Sequence, residues 1–445
     1  MLNVRGAAIA VLLIATALPV SSRTPGEAAP NRILQKVQGK GVPNGLGINI
    51  HYDGTTSDLE IAKAMGFRII RADVTWSQVE TRPGHYNWEP YDLLIARSKE
   101  LGLIPFLILA YSNPLYAPQW EGTASGRLDW AYAPPVTDKA RNAFAAFAAR
   151  AAERYGNDVI WEIWNEPNLT FGRPVQLDAY LRLAADACAA MRVASPQSII
   201  VGPASSGFDW KLLEGFVRSD SGRCFDAVSI HPYRDWTPDS ALADWHRLNT
   251  ILDRSDPRGR QIAIDSEWGY SVQPGPWTEA RQAAYVTRLY LTDLLAGVPV
   301  TILYDLRNDG IDLNEKEQNF GLLDTGGRPK PVAAALANLI HKLDGLTLVG
   351  RIQTQPGMTA VAFGHPGQPM VGVAWASGSS SVRTTLGPSV CITPANATGN
   401  ACASDDIVMQ TRTMSLVVDA MPKVFDLGSL SSTQRDQLPS KNGAP

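Results

Sequence analysis

Short apolar runs alternate along the chain with stretches in which apolar residues recur every three to four positions. The runs are Gly45–His51, Phe67–Val74, Leu103–Ala110, Asp158–Trp164, Ser198–Pro203, Phe225–Ile230, Gln261–Asp265 and Val300–Tyr304. Leu103–Ala110 is almost wholly apolar, as strands covered on both faces are. Between the runs the pattern predicts helices. Ser57 or Asp58 caps one whose Leu59, Ala62 and Met65 share a face and which stops at Gly66. Others cover about 90–101, 138–155, 175–194, 211–218, 240–253 and 278–297, and a last one covers 331–343. Strict alternation of strand and helix implies a parallel sheet. Eight such units imply an α/β fold closed into a (β/α)8 TIM barrel, with its active site at the C-terminal ends of the strands.

After Leu346 the texture changes. Leu346–Ile352, Met358–Gly364, Pro369–Ala376, Val408–Thr411 and Met414–Val418 are short strand-like runs separated by turn residues. They predict a small antiparallel β-sandwich, with Ile33–Val37 as a candidate additional strand. The expected organisation is a barrel over 45–344, a sandwich over 345–427 and a polar, Ser-rich tail over 428–445. Residues 1–22 carry a basic residue, an apolar run and small residues at a cleavage point, the pattern of a secretory signal. Residues 23–44 then read as a linker. The mature chain is expected in the periplasm or outside the cell, with no stable membrane span once the signal is removed.

Composition adds exclusions. The chain is 45% hydrophobic and 19% charged, with a net charge of -3, so it has no basic footprint for nucleic acid. Four cysteines in an exported protein invite pairing. Cys391 and Cys402 flank a polar loop and are expected to form a local disulfide. Cys188 and Cys224 are either a second pair or two buried thiols. The six histidines show no ligand spacing such as His-x-His, so neither metal nor cofactor is expected.

Two strand ends carry candidate chemistry. Trp161-Glu-Ile-Trp-Asn-Glu-Pro-Asn168 closes the fourth run with Glu166, and Ile262-Ala-Ile-Asp-Ser-Glu-Trp-Gly-Tyr270 closes the seventh with Glu267. Two carboxylates on different strand ends suit cleavage of a glycosidic bond, one as protonated acid and the other as ionised nucleophile or base. Glu162 lies two residues before Trp164 on an inner face and reads as an ion-pair partner in the core. His51, Arg71, Asn113, Asn165, His231, Tyr233, Trp268 and Asp305 gather at the same ends and are candidate substrate contacts. For Arg71 the alternative is a core salt bridge, for His231 a hydrogen-bonded core histidine, and for Asn113 and Asp305 loop capping. The loop 111–135 is long and aromatic, with Tyr132 among its rings and with Trp120 and Trp130 either packing it or stacking on sugars.

Asn165-Glu166-Pro167 and Ser266-Glu267-Trp268-Gly269 resemble the two signatures of clan A glycoside hydrolases, the (β/α)8 group of retaining enzymes. Arg71-Ala-Asp-Val-Thr-Trp76, Trp161–Asn168, Asn319-Phe-Gly-Leu-Leu-Asp324 and the trailing β domain are most similar to glycoside hydrolase family 39 and its exopolysaccharide-associated relatives. The resemblance covers the chain from about Gly45 to the end of the sandwich. It implies an oligo- or polysaccharide substrate, Glu166 as acid/base and Glu267 as nucleophile. It further implies that Asn165 binds the sugar 2-hydroxyl, that Arg71 keeps Glu267 ionised, that Tyr233 orients Glu267 and that His231 tunes Glu166. The carboxyl groups are expected about 5–5.5 Å apart. The third run ends in Tyr111-Ser-Asn113 without the histidine of family-5-like cellulases, and Tyr304-Asp305 stands where those carry a tryptophan. Trp268 is therefore the expected stacking residue. A polysaccharide-binding protein on a degenerate barrel is the reading from another class; it predicts loss of one carboxylate, and both are present.

Overall fold

The computed structural model describes residues 31–39, 41–116, 135–169, 177–219, 222–256, 260–365, 368–378, 381–387, 389–395, 407–410 and 413–427. The expected signal, the tail over 428–445, Trp120, Trp130, Tyr132 and Cys402 lie outside these residues.

Eight parallel strands close into a barrel. They are β1 (Leu46–Asn49), β2 (Ile69–Thr75), β3 (Ile104–Ala110), β4 (Ile160–Ile163), β5 (Ile199–Ser206), β6 (Ala227–His231), β7 (Ile262–Trp268) and β8 (Thr301–Leu303). β1 pairs with both β2 and β8, which closes the ring. Helices cover the outside, and their apolar faces share one large core with the outward residues of the strands, Leu107, Trp161 and Val228 among them. The helix Asp138–Tyr155 shows the local logic: Thr137 caps it by accepting from Ala140 N, and Gly156 ends it at a φ of 56°.

The barrel floor is a separate apolar layer. Ile69, Phe106, Ile160, Ile199, Ala227, Ile264 and Ile302 converge there, and Ile33 and Val37 complete it from outside the ring. Residues 31–37, expected as linker and as a sandwich strand, instead form the helix Arg32–Lys36, capped by Asn31, whose side chain accepts from Ile33 N and Leu34 N. Ile33 and Val37 are four apart, one helical turn, so both turn onto the open base of the barrel. An Ile33→Ala substitution is expected to cost about 2–5 kcal/mol, because it leaves a hole in a sealed layer. A fall in the midpoint of chemical denaturation measures it; an unchanged midpoint would show that this helix does not contribute to the floor.

The C-terminal part is an antiparallel sheet of six strands with a two-stranded ribbon across it. The sheet contains β9 (Thr347–Ile352), β10 (Met358–His365) and β11 (Gln368–Ala376), and the ribbon is β12 (Val382–Leu386) with the segment Met414–Val418. Ile352, Ala360, Ala374, Leu386 and Val418 form the core between them. The other face of the sheet, with Val361, Phe363, Val373 and Trp375, belongs to the core of the barrel helices. One polar joint reinforces that contact: Asp239 accepts from Trp375 Nε1 at 2.7 Å and from the buried guanidinium of Arg288. Cys188 and Cys224 are disulfide-bonded, tying the helix Leu177–Ala194 to the approach to β6. Cys391 is disulfide-bonded as well.

Candidate active site

Inward and outward side chains alternate along a strand. Ile69 of β2 lies in the floor layer, so Arg71 and Asp73 rise above it towards the mouth and line the cavity. On β4 the same rule places Glu162 above Ile160. The chain then bends: Trp164 and Glu166 have φ of 71° and 41°, and Ala204 on β5, whose carbonyl accepts from Glu166 N at 3.0 Å, has a φ of 52°. Left-handed backbone at residues other than glycine costs about 1–3 kcal/mol each and gathers at functional sites. Here it delivers the Glu166 carboxylate to the cavity.

β7 uses a different device. Ile264 faces the floor, so strict alternation would send Ser266 and Trp268 inward and Glu267 outward. The ladder with β8 shifts instead, with Thr301 opposite Asp265 and Leu303 opposite Trp268. One extra residue in β7 re-aims the side chains beyond it, as β-bulges do beside active sites. Glu267 turns into the cavity. Trp268 turns into the outer core, fully buried, its ring 6.1 Å from that of Tyr270. The expectation that Trp268 stacks on sugar is thereby corrected. Tyr304 and Phe320, with ring centroids 5.4 Å apart, supply the aromatic wall of the cavity.

Arg71 is the buried hub. Its Nη2 donates to Glu162 at 2.7 Å and to Asn165 Oδ1 at 3.0 Å, and its Nη1 donates to Glu267 at 2.5 Å and to Asn49 at 3.1 Å. The core ion pair and the site contact foreseen as alternatives for Arg71 are both present. With its oxygen engaged by Arg71, Asn165 keeps its amide N–H groups for the cavity. Tyr233 donates to the other Glu267 oxygen at 2.9 Å. Burial would raise the pKa of Glu267, but His231, Arg71 and the Tyr233 hydroxyl outweigh it and hold the carboxyl below its ordinary value. Asp73 goes the other way, raised by burial against the pull of Arg71 and His51.

His231 Nδ1 lies 3.0 Å from Glu166 Oε1, and its Nε2 lies 3.3 Å from Arg71 Nη2. Burial opposes a charge on this ring, while Glu267 and Glu166 favour it, and the balance raises its pKa. Arginine can only donate, so in the neutral ring Nε2 accepts and Nδ1–H donates to Glu166. A Glu166 oxygen, a His231 nitrogen and a Glu267 oxygen all lie within 4.8 Å of one another.

The cavity has a volume of about 610 Å³. Of the expected contacts it includes His51, Arg71, Asn165, Glu166, Tyr233 and Glu267. Asn113 is not among them. It is buried in its own loop, donating to Glu80 O at 2.7 Å and accepting from Leu115 N at 3.0 Å, so it acts as a cap. Asp305 is buried behind His51, 3.4 Å from its Nε2. Asn49, Asp73 and Tyr304 line the cavity and were not among the candidates. Asp73 had a readable signal, since it stands two residues beyond Arg71 on one strand.

A closed (β/α)8 barrel that brings glutamates from its fourth and seventh strands into one cavity is the architecture of a glycosidase, an enzyme acting on carbohydrate. The chain belongs to glycosyl hydrolases family 39, whose profile matches residues 55–377. No curated protein matches it. Among solved structures it is similar to a family 39 glycoside hydrolase from the gut symbiont Bacteroides cellulosilyticus WH2, with TM-score 0.69 and 23% identity over 86% of this chain and 81% of that one. A monomeric β-xylosidase from Caulobacter crescentus CB15 gives TM-score 0.55 and 19% identity over 86% and 93%. The GH39 enzyme from Xanthomonas axonopodis pv. citri gives 0.57 and 18% over 87% and 94%. At these identities the structures speak for the fold.

Proposed function

We propose that the enzyme hydrolyses an oligo- or polysaccharide with retention, by double displacement. Glu267 attacks the anomeric carbon as the glycosidic bond breaks and Glu166 gives its proton to the departing oxygen. Water then attacks the same carbon, Glu166 takes its proton, and the bond to Glu267 breaks to restore the carboxylate. The observation that carries this reading is the closeness of the two carboxyl groups, with oxygens of both within 4.8 Å of a common imidazole nitrogen and of each other. Inverting enzymes separate them by roughly 6.5–9.5 Å to seat a water. Because His231 Nδ1–H holds Oε1, the transferable proton of Glu166 sits on Oε2. Asn165 offers its amide to the 2-hydroxyl, and Tyr304 and Phe320 wall the sugar. The Cys188–Cys224 disulfide favours an oxidising compartment and hence export. No helix among the described residues is long and apolar enough to cross a membrane.

The Caulobacter relative is a β-xylosidase, which makes aryl β-xylosides the first probes in a panel of aryl glycosides. Proton NMR of the first-formed sugar should show the substrate's anomeric configuration. A 2-fluoro analogue with a good leaving group should label the peptide containing Glu267. Inversion, or a label elsewhere, would sink the mechanism.

Tyr233→Phe gives a separate check. The hydroxyl helps hold Glu267 below its ordinary pKa, so the ionised form persists to lower pH. Without that donor the acid limb of kcat/KM should move to higher pH, while the alkaline limb stays in place. An unmoved acid limb would mean that Glu267 does not govern it.

A further inference from the structure

We propose that His51, Asp305 and Asp309 form a binding site for a divalent cation of borderline softness, such as Zn²⁺, opening onto the cavity. The site stands apart from the glutamate pair and goes beyond the hydrolytic reading.

Three oxygens surround one nitrogen. Asp305 Oδ2, Asp309 Oδ1 and the Tyr304 hydroxyl each lie 3.4 Å from His51 Nε2. The Tyr304 hydroxyl is also 3.4 Å from the second oxygen of Asp309. A direct N–H···O bond spans 2.7–3.2 Å, and one Nε2–H cannot serve both carboxylates at once, while the Tyr304 hydroxyl donates to Asp309. The same spacing is what a bound ion requires. Tetrahedral ligands about 2.1 Å from a metal stand about 3.4 Å from one another. One ligand atom from each of His51, Asp305 and Asp309 lies within 4.8 Å of both others.

Asp305 supplies an independent observation. It is only 1% exposed, and neither of its carboxylate oxygens takes part in a hydrogen bond. Its pairing with His51 is long, at 3.4 Å, and a buried carboxylate is costly unless closely paired or bound to a metal. Here one oxygen points at the cluster. One imidazole and two carboxylates form a donor set suited to zinc and its neighbours. A bound ion would displace the ligand protons, leaving two aspartates and a neutral imidazole with a charge of −2, which one such ion cancels. His51 and Tyr304 both line the cavity, so a remaining coordination position faces the substrate. Sequence spacing conceals the set, because His51 follows β1 and the aspartates follow β8, far apart in the chain and adjacent only after the barrel closes.

The test uses the full chain stripped with a chelator and titrated with Zn²⁺ alone by calorimetry, with metal content checked by elemental analysis. The expected result is one ion per chain. His51→Gln and Asp309→Asn, both at exposed positions, should each weaken binding by about 100-fold or more. Glu267→Gln should bind as the wild type does. That variant matters because Glu166, His231 and Glu267 also place ligand atoms within 4.8 Å of one another. No uptake, binding undiminished by either rim substitution, or binding that depends on Glu267 would each overturn the proposal. Because the readout is binding, its failure is distinguishable from failure of the double-displacement reading.

Discussion

Glu267→Gly is expected to lower kcat by roughly 10⁴- to 10⁶-fold on every glycoside the wild type cleaves, the scale of losing an attacking group outright. The geometry explains why nothing nearby can substitute. Arg71, Tyr233 and His231 surround this carboxylate and none can attack carbon as placed. Asp265 accepts the backbone N–H of Glu267, which keeps it in the outer wall. The deletion leaves a hole lined by Arg71 that suits a small anion. Added azide should therefore restore turnover of an activated aryl glycoside and give a glycosyl azide of inverted configuration, because one displacement replaces two. Gas chromatography or NMR of the product reads this directly. Undiminished activity in the glycine variant, or azide-independent residual turnover with retention, would remove Glu267 from the role proposed for it.

Glu166→Ala has the second largest expected effect, and its signature lies in the leaving group. Departing alkoxides need a proton, so natural saccharides should lose about 10²- to 10⁴-fold. Dinitrophenyl glycosides leave without help, so their first step should be nearly intact. The second step still lacks its base, so the glycosyl-enzyme should accumulate and a burst of dinitrophenol should precede slow turnover. Rapid-mixing absorbance resolves that burst. An equal loss on good and poor leaving groups would assign Glu166 to orientation. His231 touches both roles: it donates to Glu166 in the neutral ring and helps hold Glu267 below its ordinary pKa, so His231→Asn should lose rate on all substrates and most on those with poor leaving groups.

The barrel was readable because each strand is an apolar run and each helix shows an apolar stripe, and both glutamates stand where such runs end. What escaped the sequence is local geometry that alternation cannot express. Ile262-Ala-Ile-Asp-Ser-Glu-Trp268 carries no mark of the extra residue that turns Glu267 inward and Trp268 outward, since the bulge is defined only by pairing with β8. Asn113 stayed open between substrate contact and loop cap because its partner, the carbonyl of Glu80, belongs to a distant segment. The helix at Arg32–Lys36 is too short for its period to be told from a strand, although Ile33 and Val37 fit one helical turn. In the C-terminal part, Val382–Leu386 of the ribbon and Ser389–Thr393 and Lys423–Asp426 of the sheet were missed because each is short and partly polar, paired into place by its neighbours.

The joint at Asp239 bears on how this enzyme can be re-engineered. The loop that holds it comes directly after His231 and Tyr233, so the appended sheet acts as a buttress for the strand end that serves both glutamates. Trimming the gene to a minimal barrel would strip the cover from the hydrophobic backs of the α-helices and unpin that loop in one cut. Shuffling modules among homologues is better done with the barrel and its C-terminal companion kept together as a single cassette.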